Sequence, residues 1–411
     1  MLSALLRVFI AVVISVPVMG AKLVIYHDAD YTGHLESAES MAMGFNTALA
    51  EAGHNVQGYT LELVPKNHQG NVKRSLLNLK RFTKDPEALA VLGGLHSPPY
   101  IVNRNFINQN QILLMVPWAA GGPITRYSEG RNWVFRVSID DTKAGFRIAQ
   151  FAVENKECQS PHLLLENTGW GKSNVKTLTK ALNAKNIKDF AVTWFEWNTQ
   201  KNVARIILRE IINTKADCIL FVGNAIEGSV FAKAMISLPK EQRLPMISHW
   251  GITGGTFHNT YRDHLHGDLD LSFIQTCFSF ISTPANKLSN QVLKSAYQLY
   301  PGKLKKPEDI VAPTGFIHAY DMGKILLAAL DQIKLTGDVK KDRVALQSVL
   351  ERIERPVKGL VKTYKPPFLP WTKQQEDAHE ALQLNDFCMA YYDDKGVIHV
   401  FPNHQSTAMS H

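Results

Sequence analysis

The chain has 411 residues, of which 45% are hydrophobic and 20% charged. This is ordinary globular composition; it excludes a disordered or fibrous protein and suffices for two domains, each with its own core. The 45 Lys and Arg against 37 Asp and Glu give a formal charge of +8, but the basic residues are scattered among acids with no aromatic-interleaved basic stripe, so no nucleic-acid partner is expected.

In chain order, the first feature is a short start carrying Arg7, an apolar run Val8 to Val18 (VFIAVVISVPV) and the small residues Gly20 and Ala21. That order is the layout of a secretory signal over residues 1–21, cleaved near Gly20 or Ala21. The run is shorter than the ~20 residues a membrane-spanning helix needs. An exported mature protein is therefore expected. Its four cysteines, Cys158, Cys218, Cys277 and Cys388, have no CxxC spacing, which argues against a zinc or thioredoxin-like site. A protein this large does not require disulfides, and buried free thiols are the expectation.

An alternation follows. Lys22 to His27 reads as a strand, and Met41, Phe45 and Leu49 recur on one helical face. Leu61 to Pro65 is a second strand, Asn71 to Lys84 a helix, Ala88 to Leu92 a third strand, Tyr100 to Gln109 a helix and Ile112 to Val116 a fourth strand. Val134 to Ser138 closes this set. The pattern then restarts with a helix over Thr142 to Asn155 and a strand at His162 to Leu165. A helix from about Lys172 follows, with strands at Ala191 to Phe195, Cys218 to Val222 and Met246 to Ser248. Helices at Val203 to Asn213 and Glu227 to Ser237 separate these. Three more helices are expected near Ala285 to Tyr300, Ile317 to Leu335 and Arg343 to Glu354. A hairpin, Phe387 to Tyr392 and Val397 to Phe401, ends the chain. Short apolar strands separated by amphipathic helices indicate parallel sheets covered on both faces. Two doubly wound α/β lobes are predicted.

In such sheets ligands gather beyond the carboxyl ends of the strands, and between two lobes the default site is the cleft. The positions just after the strands are Asp28, Asp30 and Tyr31; His96 and Ser97; Pro117 to Gly122; Asn167 to Trp170; Asn224 and Ala225; and His249 and Trp250.

Several segments in this order carry a resemblance: LAVLGGLHS at Leu89–Ser97, QILLMVPWAAGGPIT at Gln111–Thr125, WVFRVSIDD at Trp133–Asp141, ENTGWGKS at Glu166–Ser173, ADCILFVGNAIEG at Ala216–Gly228 and GFIHAYDMGKILLAAL at Gly315–Leu330. Together they resemble the type I periplasmic binding proteins, specifically the leucine/isoleucine/valine-binding branch that feeds ABC transporters. The resemblance covers essentially all of the mature chain. It implies two lobes joined by a three-strand hinge, lobe 1 from 22–139 plus 278–384 and lobe 2 from 140–277 plus 385–411. It also implies a periplasmic, monomeric protein with no enzymatic activity and no cofactor. The implied partners are a small-molecule ligand and either an inner-membrane ABC transporter permease or a membrane sensor kinase.

Carried over residue by residue, the resemblance implies that Ser97 binds the ligand on lobe 1. The family's small-small-Thr run becomes Trp118-Ala119-Ala120-Gly121, which leaves backbone N–H groups of Ala119 and Ala120 as donors. Trp170 matches the aromatic before the lobe 2 glycine turn, and Trp250 replaces the acid that receives an ammonium. An amino-acid zwitterion would then be poorly paired, and an unpaired buried charge is costly. With His96 and Asn224 beside them, the expected contacts are His96, Ser97, Trp118, Ala119, Ala120, Trp170, Asn224 and Trp250. The implied ligand is a small polar molecule, amino-acid-like or amide-like, and the tryptophan walls suit aromatic or cationic groups.

Other chemistry finds less support. His249, His258, His264 and His266 with Asp263, Asp268 and Asp270 match no standard metal spacing and read as a solvated loop, so no metal is expected. No GxSxG elbow supplies a hydrolase nucleophile. Asp28 and Asp30 have no partner acid pair across the cleft.

Overall fold

The computed structural model describes residues 21–265 and 267–401. The expected signal segment, except Ala21, lies outside them. The first sheet is built from β1 (Lys22–Ala29), β2 (Asn55–Val56), β3 (Tyr59–Asn67), β4 (Ala88–Gly93), β5 (Leu114–Val116) and β6 (Val134–Arg136), with α1 (Leu35–Glu51), α2 (Val72–Phe82), α3 (Pro98–Val102) and α4 (Arg104–Gln109) between them. Its order is β2-β3-β1-β4-β5-β6, parallel except for the small β2–β3 pairing. The single helix expected at Tyr100 to Gln109 is two short ones meeting at Asn103, whose side chain leaves the helix to donate to the Val72 carbonyl.

The second sheet follows a crossover through α5 (Asp141–Asn155). It contains β7 (Pro161–Glu166), β8 (Ala191–Phe195), β9 (Cys218–Val222), β10 (Met246–Ser248) and β11 (Leu271–Thr276), connected by α6 (Gly169–Ala184), α7 (Lys201–Asn213), α8 (Ala225–Ile236) and α9 (Phe257–Tyr261). The chain then returns to the first lobe as α10 (Lys287–Leu299), α11 (Pro313–Leu330) and α12 (Val339–Leu350), with a two-stranded ribbon of β12 (Val357–Lys358) and β13 (Thr363–Tyr364). It ends in β14 (Phe387–Tyr392) and β15 (Ile398–Val400), which complete the second sheet in the order β15-β14-β11-β10-β9-β7-β8. β11 was not anticipated: Ser272, Gln275 and Thr276 interrupt its apolar run, yet all six of its residues are buried. β14 pairs antiparallel with β11, so this edge departs from an all-parallel sheet. The α/β class with two parallel-sheet lobes is as expected.

The cysteines depart from the expectation of free thiols. Cys158 is bonded to Cys218 and Cys277 to Cys388. Strand pairing is the physical reason. β7 lies beside β9, which brings Cys158, just before β7, to the first residue of β9. The β11–β14 register puts Cys388 opposite Gln275, and the Cys277 N–H donates to the Asp386 carbonyl, so Cys277, just after β11, lies diagonally beside Cys388.

The crossover from β6 to α5 carries a buried ion network. Arg136 closes β6, is wholly buried and reaches Glu380 at 2.6 Å and Asp140 at 3.4 Å. Arg126 joins the same two acids, and Lys143 reaches Glu380 at 3.4 Å. The Glu380 segment runs alongside β6, with the Arg136 N–H donating to the His379 carbonyl and the Ala381 N–H to that of Arg136. Asp140 also caps α5, accepting from the Thr142 N–H.

Candidate functional site

The carboxyl ends of both sheets face one another. On the lobe 1 side, Ser97 Oγ accepts from the Gly121 N–H at 3.0 Å, which ties the loop after β4 to the loop after β5. Ala119 and Ala120 are buried there; the Arg136 guanidinium donates to the carbonyls of Ala119 and Gly121, and the Asp141 N–H donates to Ala120. Trp118 turns towards the helices: a Cβ placed on Gly315 of α11 would lie 2.5 Å from its ring, and Met41 of α1 lies at the same spot.

On the lobe 2 side, α6 begins immediately after β7. Its Thr168 cap accepts from the N–H groups of Trp170 and Gly171. Only glycine fits at 171, because a Cβ there would sit 1.9 Å from the Glu166 carbonyl oxygen. This close start throws the Trp170 ring over the sheet end. Its Nε1 donates to Asp141 Oδ1 at 3.0 Å, and His249 meets the ring edge-on at 4.9 Å. His249 Nε2 lies 3.5 Å from the same carboxylate oxygen. Asn224 donates to Glu166 Oε2 at 3.4 Å. Trp250 is buried against His318 of α11, with ring centroids 5.3 Å apart, and against Phe387 at 5.9 Å.

Two acids of this mouth escaped the sequence reading. Burial pushes Glu166 up to about 8, with Glu227 and Asp141 adding to the rise and hydrogen bonds from Thr168 and Trp197 opposing it. Asp141 holds Trp170 and also accepts the Gly122 N–H from lobe 1 at 3.1 Å. The only sequence signal was an acid ending the apolar run of β7 and a second acid at a helix start. By contrast, Asp28 is turned away, accepting from Ser75 and Asn78.

The two sides touch. Ser37 Oγ donates to the Gly254 carbonyl, Gly122 N–H to Ser173 Oγ at 3.3 Å, and the His96 and Trp197 rings lie 5.4 Å apart. Ser97, Ala119, Ala120, Trp170 and Asn224 are thus gathered at one mouth with His96, while Trp118 and Trp250 pack at its α11 wall.

A cavity of about 640 Å³ lies beyond the end of β11, lined by Gln275, Phe278, Lys303, Pro313 and the β14–β15 hairpin. None of the eight expected contact residues lines it. The dispersed histidines do not converge: His264 pairs with Asp268 at the surface at 2.8 Å, His258 stacks near Tyr392, and His249 belongs to the mouth. His266 lies outside the described residues. No helix among the described residues is long and apolar enough to cross a membrane.

A family model described as periplasmic binding protein matches residues 29–381. No curated protein sequence matches the chain. Among solved structures, a type 1 periplasmic binding protein from Bordetella pertussis Tohama I is similar at 15% identity and TM-score 0.76, covering 93% of this chain and all of that one. The branched-chain amino acid substrate-binding protein LivJ of Streptococcus pneumoniae, in complex with isoleucine, aligns at 15% identity and TM-score 0.70 over 92% and 99%. A solute-binding protein of an ABC transporter from Rhodopseudomonas palustris HaA2, in complex with p-hydroxybenzoic acid, aligns at 16% identity and TM-score 0.74 over 92% and 95%.

Proposed function

Because this chain belongs to the periplasmic binding protein family, we propose that it captures a small polar molecule between its lobes and delivers it to an inner-membrane ABC transporter without chemical change. The observation that carries this reading is the opposition of two sets of strand-end groups. Ser97 and the Ala119–Gly122 backbone lie on one side; Trp170, Asp141, Asn224 and Glu166 lie on the other. Hydrogen bonds run between the sides. Aromatic faces at the mouth suit a ligand with a flat or cationic group. The structural neighbours with isoleucine and p-hydroxybenzoic acid span that range. We place the hinge at the crossovers near residues 139/140, 277/278 and 384/385, and the working compartment in the periplasm. Two disulfides fit an oxidising compartment.

The solute is identified by mass spectrometry of protein purified from cells, and its affinity is then measured on variants. Trp170→Ala should weaken binding by about thirtyfold, the usual cost of a truncated aromatic anchor. His264→Ala, at the surface, should leave affinity unchanged. Affinity of folded Trp170→Ala within about twofold of wild type would remove Trp170 from the site.

A further inference from the structure

At the lobe 1 rim of the mouth, three histidines and an aspartate crowd together with little exposure. His34 is the first residue before α1, His68 follows β3, and His96 follows β4; the parallel order β3-β1-β4 brings the three loops side by side. The His34 and His96 rings meet edge-on at 4.6 Å, and His68 and His96 at 5.9 Å. Asp30 Oδ2 lies 3.2 Å from His34 Nδ1. Each of these four side chains is at least nine-tenths buried.

The nitrogen inventory is lopsided. His34 Nε2 and His96 Nδ1 are buried and have no hydrogen-bond partner among the described residues. Buried polar atoms without partners are costly. His68 Nε2 is likewise unpartnered, but its Nδ1 accepts the Gly70 N–H at 3.0 Å, so the neutral ring carries its hydrogen on Nε2 and has no second lone pair to offer. A ligand atom each from Asp30, His34 and His96 falls within 4.8 Å of the others. A tetrahedral ion with bonds of about 2.0–2.1 Å holds its ligands roughly 3.3 Å apart, so at most about 1.5 Å of approach between side chains closes the set.

We infer that Asp30, His34 and His96 form a binding site for one divalent transition-metal ion, with Trp197 of the opposite lobe lying over His96. Two imidazoles and a carboxylate favour zinc, cobalt, nickel or copper over calcium or magnesium, which take oxygen cages. Three protein ligands leave a coordination position open. The inference does not depend on which solute the mouth takes.

The test uses the purified full chain stripped with a chelator and titrated with Co²⁺ and Zn²⁺. One equivalent should bind, Co²⁺ should give the visible absorption of a low-coordinate nitrogen and oxygen site, and Zn²⁺ should raise the unfolding temperature. His34→Gln and His96→Gln should each weaken binding by about 100-fold or more, a larger effect than loss of a supporting group outside the coordination shell. His264→Gln should not weaken it. X-ray absorption on the wild-type zinc complex should count two imidazoles, which keeps the test independent of whether the variants fold. Saturable binding weaker than about 1 mM overturns the site. So does binding that both glutamine variants retain, since the ion would then sit elsewhere.

Discussion

Arg136→Met should destabilise the protein by about 3–5 kcal/mol, the usual cost of stranding a buried charge. Arg136 is fully buried at the β6–α5 crossover and faces Glu380 and Asp140, which are also buried. Removing its guanidinium leaves Arg126 and Lys143 to neutralise both acids from the half-buried side. Burial raises Asp140, but Arg136 and Arg126 outweigh it and hold the carboxyl well below the ordinary range. A depressed carboxylate contributes stability that is present above the unfolded value of about 3.9 and is lost as pH falls through the folded value. In the variant that depression shrinks, so acid unfolding should begin at higher pH than in wild type. Urea unfolding at pH 7 and a pH series measure both effects. A loss below about 1 kcal/mol would show that the network is dispensable.

Replacing Cys277 and Cys388 together by serine should cost about 2–4 kcal/mol. The bond closes a segment with a sequence separation of 111, and cross-linking long segments restricts the unfolded chain most. That segment leaves the second sheet after β11, builds α10, α11 and α12 on the first lobe, and returns as β14. The bond therefore pins both strands where the chain changes lobes. Wild-type protein under reducing conditions should fall towards the variant, while the variant itself should lose only what reduction of Cys158–Cys218 costs. Peptide mapping under non-reducing conditions that found either pair as free thiols in protein purified from cells would contradict this.

Sequence periodicity located most elements because the strands are continuous apolar runs and the helices have one apolar face. Ala191–Phe195, Cys218–Val222, Met246–Ser248 and Phe387–Tyr392 have the expected bounds. β11 was hidden because buried Ser272, Gln275 and Thr276 look like loop residues until their partners are known; Gln275, for one, accepts from Thr314 of α11. The disulfides were hidden because register, not spacing, joins positions 60 and 111 residues apart. At the mouth, residues directly after strands were legible from topology alone, as Ser97 and Trp170 illustrate. Asp141 and Glu166 were not, since their role depends on which ring or amide lies across from them. The Asp30–His34–His96 group needed the β1–β4 pairing to come together.

The claim that the lobes close over a solute is tested most directly by locking them. Ser37 Oγ donates to the Gly254 carbonyl across the mouth, and a Cβ added at Gly254 would lie 3.1 Å from that oxygen. This is close to the sulfur-to-Cβ reach of a disulfide, and Gly254 has an ordinary φ of −81°. Ser37→Cys/Gly254→Cys protein, loaded with its co-purified solute and oxidised, should release that solute at least about tenfold more slowly than the same protein after mild reduction. Equal release rates in the cross-linked and reduced forms would contradict binding by closure between the lobes.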